Sequence, residues 1–244
     1  MKAKRCLSFS LVLLMVLAFS RPGLAQSAKD VLENMIKALG GREVLSGIKD
    51  TRMSGTMEMI QYGMTTPFTM YQKEPDKSRM EIEVMGMSII QVYDGQKAMV
   101  TNPQTGEVME LTPDQSEQMR RQALGNEATL LNPEKFGITY TYKGKEEVNG
   151  KTCHVLEQKF SNGDTATVYV DATTFLPYKT RTKTLSPSGG EVEAEQVMSE
   201  YRKVDGTMAA FSITIFQGGV EYIRMTVNEI VYNTGLDDSL FVLK

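Results

Sequence analysis

The sequence predicts a mainly β protein with helices (α+β): one antiparallel sheet of about a dozen strands, an N-terminal helix and a helical insertion midway. Three observations carry this. Beyond residue 50, apolar and polar residues alternate with period two over segment after segment. The dipeptides Asp94-Gly95, Asn149-Gly150 and Asn162-Gly163 are of the kind that two-residue hairpin turns prefer, because both central residues need positive φ. Helical spacing is confined to two stretches, each opened by a capping residue.

Taken in chain order, the first residues read as a secretory leader. Lys2, Lys4 and Arg5 form a basic start, Leu7 to Phe19 is an almost unbroken apolar run, and Gly23-Leu24-Ala25 supplies small residues for cleavage before Gln26. The run falls short of the ~20 residues that span a bilayer. Residues 1–25 are therefore expected to be removed on export, leaving 26–244 as a single periplasmic domain. Cys6 precedes the apolar run instead of closing it, which places it badly for lipid attachment. Removing the four basic residues of the leader from the 27 in the chain leaves 23 against 30 acidic ones, a formal charge of −7. A positive footprint for a phosphate backbone is missing, so no nucleic-acid partner is expected. Cys153, alone after the leader, has no partner for an internal disulfide, so the fold must rest on its core.

Ser27 caps a helix whose Val31, Leu32, Met35, Ile36 and Leu39 fall at helical spacing, with Gly40-Gly41 ending it. A short turn around Glu43 to Leu45 leads to strands at Asp50 to Gln61, Met64 to Lys73, Arg79 to Val84, Met87 to Tyr93 and Gln96 to Thr101. Thr112-Pro113-Asp114-Gln115 then sets a cap, Pro at the first helical position and Gln at the reciprocal capping position. A helix to about Leu124 follows, with another turn from Asn126 to Asn132. Strands resume at Ile138 to Glu147, Lys151 to Phe160, Thr165 to Asp171, Tyr178 to Thr184, Glu193 to Arg202, Phe211 to Gln217 and Val220 to Tyr232. An open sheet of that size curls, and a curled sheet wider than eight strands leaves interior space that its own side chains do not fill.

The unusual feature is what lines the first strands. Eight of the seventeen methionines lie between Met53 and Met87. Met53, Met57 and Met59 share one face of their strand, and Phe68, Met70, Met80 and Ile82 keep phase with them. Methionine is unbranched and polarizable, so such a face re-packs around variable apolar partners better than one of Val or Ile. These seven residues are the candidate lining of a cavity for hydrophobic ligands.

Several short motifs resemble one family. They are Leu39-Gly40-Gly41-Arg42-Glu43 with Ile48-Lys49 and Met53-Ser54-Gly55-Thr56, Tyr169-Val170-Asp171-Ala172 with Leu176-Pro177-Tyr178-Lys179, Tyr201-Arg202-Lys203-Val204-Asp205-Gly206, and Asp237-Asp238-Ser239-Leu240-Phe241. Together, over essentially the whole mature chain, they resemble the outer-membrane lipoprotein-sorting proteins of the LolA-like superfamily. The resemblance implies a half-open antiparallel β-barrel whose helix-covered concave face holds acyl chains of lipoproteins or other lipids in transit through the periplasm. It also implies membrane donor and acceptor proteins as partners, and it makes the insertion from Thr112 to Asn132 a mid-chain helical lid. The insertion's apolar stripe is narrow, with Met119, Ala123 and Leu124 in the first helix and Leu130-Leu131 beyond, so it is expected to dock weakly and either open for cargo or serve as a solvent-facing connector with no functional motion. Met119, Leu124, Leu130 and Leu131 are the lid candidates.

Chemistry is less well supplied. Cys153 and His154 are adjacent, and on a strand they point to opposite faces, which disfavours a thiol and imidazole dyad. Met57-x-Met59 and Met85-x-Met87 have a spacing that could ligate Cu(I), but the same residues keep phase with Phe68, Ile82 and Ile89 as a packed face does. No carboxylate pair can be placed across a sugar and no Trp offers a sugar platform. Asp237-Asp238 lacks the further oxygen ligands of a calcium site. The expectation is a non-enzymatic monomer with no catalytic residue, metal or cofactor: a periplasmic carrier of acyl chains, moving them toward the outer membrane. The alternatives are a regulatory sensor of lipids or mislocalised lipoproteins that signals through a protein partner and, less favoured, a Met-rich Cu(I)-binding protein.

Overall fold

The computed structural model describes residues 27–84, 86–185 and 190–243; the leader and its cleavage site lie outside them. Helix α1 (Ala28–Leu39) begins where Ser27 and Asp30 exchange hydrogen bonds in a capping box. Its next turn, α2 (Arg42–Ser46), follows two glycines at positive φ. Five strands come next, β1 (Asp50–Met59), β2 (Met64–Lys73), β3 (Lys77–Val84), β4 (Met87–Tyr93) and β5 (Ala98–Thr101), and then β6 (Val108–Glu110). The insertion holds α3 (Pro113–Ala123) and α4 (Glu127–Leu131). Seven strands complete the chain: β7 (Thr139–Val148), β8 (Lys151–Lys159), β9 (Thr165–Asp171), β10 (Pro177–Leu185), β11 (Glu191–Val204), β12 (Thr207–Gln217) and β13 (Val220–Tyr232). A 3-10 turn, Asp238–Phe241, seals the end with Phe241 fully buried.

All thirteen strands form one antiparallel sheet in the order β6-β5-β4-β3-β2-β1-β13-β12-β11-β10-β9-β8-β7. Two meanders are thus joined along β1 and β13, and the strands flanking the insertion, β6 and β7, are the two free edges. The sheet is open: a half-open α+β barrel, not a closed one. Asp50 fixes the end of the β1–β13 seam. Its buried carboxylate accepts hydrogen bonds from the Thr234 amide at 2.7 Å and hydroxyl at 2.9 Å, and from the amides of Gly235 and Leu236. Burial opposes ionisation, but these hydrogen bonds outweigh it and hold the carboxyl below its usual range.

The turns differ from the sequence expectation in part. Asn149-Gly150 is a two-residue turn with φ of 51° and 76°, as the dipeptide requires. At Asp94-Gly95 only the glycine has positive φ, Tyr93 pairs with Ala98, and Asp94 instead accepts the amides of Gln96 and Lys97 in a longer loop. Asn162-Gly163 likewise sits in a wider loop, closed by the Phe160 amide on Asp164. Strand β6 and the early start of β12 at Thr207 are additional to the expected elements.

Cross-strand partners share a face, so the register shows what lies on which side. One row runs Met59, Ile223, Ile215, Gln196, Thr180, Val168, Leu156, Tyr142 across eight strands. Its far end packs under α1, where Val31 and Met35 meet Leu156 and Val170, with Tyr140, Tyr142 and Val168 around them. The methionine face and the helices therefore occupy the same, concave side.

Candidate functional site

The seven predicted lining residues come together. Met57 and Phe68 are buried at the centre of one apolar cluster, and Met53, Met59, Met70, Met80 and Ile82 pack around them half-buried. The register explains it: Met53 faces Met70, which faces Met80, while Gly55 faces Phe68, which faces Ile82. Gly55 is needed at that point. A Cβ there would collide with the Thr226 carbonyl and touch the Phe68 ring at 3.0 Å, just where β13 shifts register beside it.

The other half of this face comes from strands that the methionine pattern did not flag. Phe211 on β12 and Met225, Val227 and Ile230 on β13 are buried in the same cluster, with Ile213 and Ile223 beside them. Over β1–β4 and β11–β13, the side chains on the concave side form a nearly uncharged surface; only Glu200 and Arg202 carry charge there. Met57 lies opposite Met225 and Thr66, and Met59 opposite Met64 and Ile223, so these methionines pack in sheet rows. Met85, half of the second Met-x-Met pair, lies outside the described residues.

The four lid candidates do not meet at one point. Met119, with Ala123, packs on Tyr93 and Ala98 of the β4–β5 hairpin. Leu124 is buried against Ile138, Phe160 and Ala166 of the opposite meander. Leu131 is buried with Ile36, Leu45 and Ile48, and Leu130 bridges that group and the α1 cluster. Polar ties add to this: Arg121 pairs with Asp164, Asn162 donates to Glu117 at 2.8 Å, and Asn126 donates to the Pro75 carbonyl at 2.8 Å. The expectation of weak docking is corrected here. The narrow stripe suffices because its two ends bury into different arms of the sheet, making the insertion a strap across the open side.

A groove of about 580 Å³ lies between α1 and the segment from Leu130 to Tyr140, lined by the apolar Leu32, Ile36, Leu130 and Ile138 and by charges of both signs, Lys29, Arg42 and Lys135 with Glu33 and Glu134. It borders the helices and β7, away from the methionine cluster. Arg42 pairs with Glu33 and donates to the Leu131 carbonyl at 3.3 Å, tying α2 to α4.

Cys153 and His154 do lie on opposite faces. Cys153 packs with Val155 and Tyr169 on the convex side, where burial raises its thiol pKa. His154 is buried on the concave side, stacked on Phe175 with ring centroids 5.3 Å apart and its Nδ1 3.1 Å from the Tyr142 hydroxyl; burial, then Lys145, pushes its pKa down. Among the described residues no group of three or more His, Cys, Asp or Glu is placed to hold a metal, and no helix is long and apolar enough to cross a membrane.

No family model and no curated protein matches the chain. Solved structures do match its fold. A DUF1329 family protein from Desulfovibrio piger superposes with a TM-score of 0.59 at 16% identity, covering 88% of this chain and 96% of its own. A LolA superfamily protein from Nitrosomonas europaea gives 0.59 at 15% identity, covering 90% and 99%. A domain assigned to outer membrane lipoprotein sorting from Vibrio parahaemolyticus gives 0.56 at 15%, covering 86% and 95%. The fold is LolA-like, over nearly the full length of each comparison.

Proposed function

We propose that this chain is an exported carrier that binds the acyl chains of lipoproteins or other lipids along its methionine-lined concave face and moves them toward the outer membrane. The observation that carries the reading is the incomplete burial of that face. Met53, Met59, Met70, Met80 and Ile82 line an apolar face, left half-buried, in a cluster whose members all come from strands, whereas α1 packs on the β7–β9 side and α3 on the β4–β5 hairpin. An acyl chain laid there gains ~0.8 kcal/mol per buried CH₂, so a long chain is held without any covalent or metal chemistry. Methionines accept chains of differing shape at small cost. The LolA-like fold supports the same reading, as does the leader read from the sequence.

The test is uptake of a fluorescent fatty acyl probe by delipidated protein. Replacing Met70 and Met80 together by Glu sets unpaired charge against the chain and is expected to abolish uptake while far-UV circular dichroism stays β-like. Unaltered uptake by the double variant refutes the reading. Tight Cu(I) binding that disappears with Met57→Leu and Met59→Leu would replace it.

A further inference from the structure

On that reading of the concave face, we propose that Glu200 and Arg202 form a head-group site, selecting amphiphiles whose head carries a phosphate next to an ammonium. The two side chains are the only charged groups on the concave side of β1–β4 and β11–β13, and they stand together. The Arg202 guanidinium donates to Glu200 at 2.9 Å and lies over the Phe211 ring, 4.5 Å from its centroid. Phe211 belongs to the same buried cluster as Met57, Phe68 and Met225. The cation thus sits beside the acyl-binding face, within one side chain of the methionines.

The backbone singles out the same spot. Strand β11 keeps one register with β12 from Met198 opposite Ile213 to Val204 opposite Thr207, yet Glu200, which falls opposite Phe211, drops out of the ladder. It does so at φ 51°, a left-handed conformation uncommon for a residue other than Gly, Asn or Asp. Strained backbone held in place at one point of a regular strand marks a position with a task. The pair does little for stability: both side chains are more than half exposed, where an ion pair contributes little. Exposed, adjacent and opposite in sign, the two groups match a dipolar head. Arg202 offers its forked donors to a phosphate, and Glu200 is left to accept an ammonium.

The experiment uses three pyrene-labelled probes of equal chain length: phosphatidylethanolamine, phosphatidylglycerol and diacylglycerol. Wild-type protein is expected to bind phosphatidylethanolamine about tenfold tighter than diacylglycerol, the scale of one charge-assisted hydrogen bond. Arg202→Gln should bring phosphatidylethanolamine down to the diacylglycerol level and leave diacylglycerol unchanged. Glu200→Gln should erase the preference for phosphatidylethanolamine over phosphatidylglycerol. Equal binding of all three probes by wild type, or equal loss of all three in Arg202→Gln, overturns the head-group site while diacylglycerol binding keeps the carrier reading intact. Failure of all three probes overturns both.

Discussion

The two arms of this sheet share one topology and differ in what covers them. In the arm of β7–β9, α1 supplies Val31 and Met35 to a floor of Leu156 and Val170, all buried, so the chain completes its own core. In the arm of β1–β4 with β12 and β13, the same concave side is lined by Met53, Met59, Met70, Met80 and Ile82, left half-buried by the chain itself. The convex sides contrast as well. Behind the covered arm, Lys179 is buried over Tyr169 and bonded to Glu195 at 2.6 Å, a polar layer that stiffens the sheet. The lesson is that apolar residues in register do not by themselves make a finished core. The covered arm is completed by the chain's own helix, and the other arm leaves its methionine face half-buried.

The sharpest way to break this comparison is to remove matched bulk from each arm. Leu156→Ala cuts into a site with no solvent access and should cost about 2–5 kcal/mol in urea unfolding. Met80→Ala, at a half-buried position, should cost less than about 2 kcal/mol, because little cavity is left where the side chain already meets open space. Equal losses would mean that the methionine arm is as finished as the covered one.

A smaller effect should come from the strap that joins them. Leu124 is the point where the insertion enters the covered arm. Leu124→Ala is expected to lower stability by about 2 kcal/mol and to speed amide exchange from Asp114 to Leu131, leaving β1 and β2 protected. In the unmodified protein, adding an acyl ligand to delipidated material should slow exchange over the same segment if the strap also acts as a lid. Exchange indifferent to a ligand shown to bind leaves it a fixed connector.

Much of this was legible in the sequence, and the exceptions have physical causes. Ser27, and Thr112 with Pro113 and Gln115, announce their helices because capping is a local transaction within four residues. The Met53 to Ile82 face was legible because consecutive hairpins carry alternation from one strand to its neighbour. Its other half was not: Met225 and Ile230 arrive through the β1–β13 pairing, some 170 residues away, with Phe211 on the next strand, and no local pattern marks that join. Strand β6 is three residues of edge pairing beside a turn, too short for any period. The strap's firmness was hidden for the same reason, since Leu124's partners Ile138, Phe160 and Ala166 come from the far edge. Glu200's φ and the lone charge of its neighbour are visible only once β11 is laid against β12.

The smallest expected effect bears on the covered arm alone and follows from His154. The imidazole lies buried in the concave side, between Phe175 and the Tyr142 hydroxyl, with Lys145 nearby, and its pKa is pushed down, first by burial and then by that lysine. The folded protein therefore takes up this proton less readily than the unfolded chain, whose His titrates near 6.5. Stability from this source is complete above that pH and is lost as pH falls from about 6.5 toward the lowered value, well before Asp50 is reached, whose depressed pKa moves its own loss below the ordinary carboxylate range. One proton bounds the slope at about 1.4 kcal/mol per pH unit. Urea titrations between pH 7 and pH 5 should show this decline in wild type, and a flatter profile in His154→Gln, whose amide keeps a polar group beside Tyr142. Since α1 rests on the residues around His154, the decline should appear as faster exchange at Val31 to Leu39 while the methionine strands stay unchanged. A uniform loss across both arms would mean that the two do not unfold as distinct units, and the contrast between a covered arm and a half-buried methionine face would then hold for packing only.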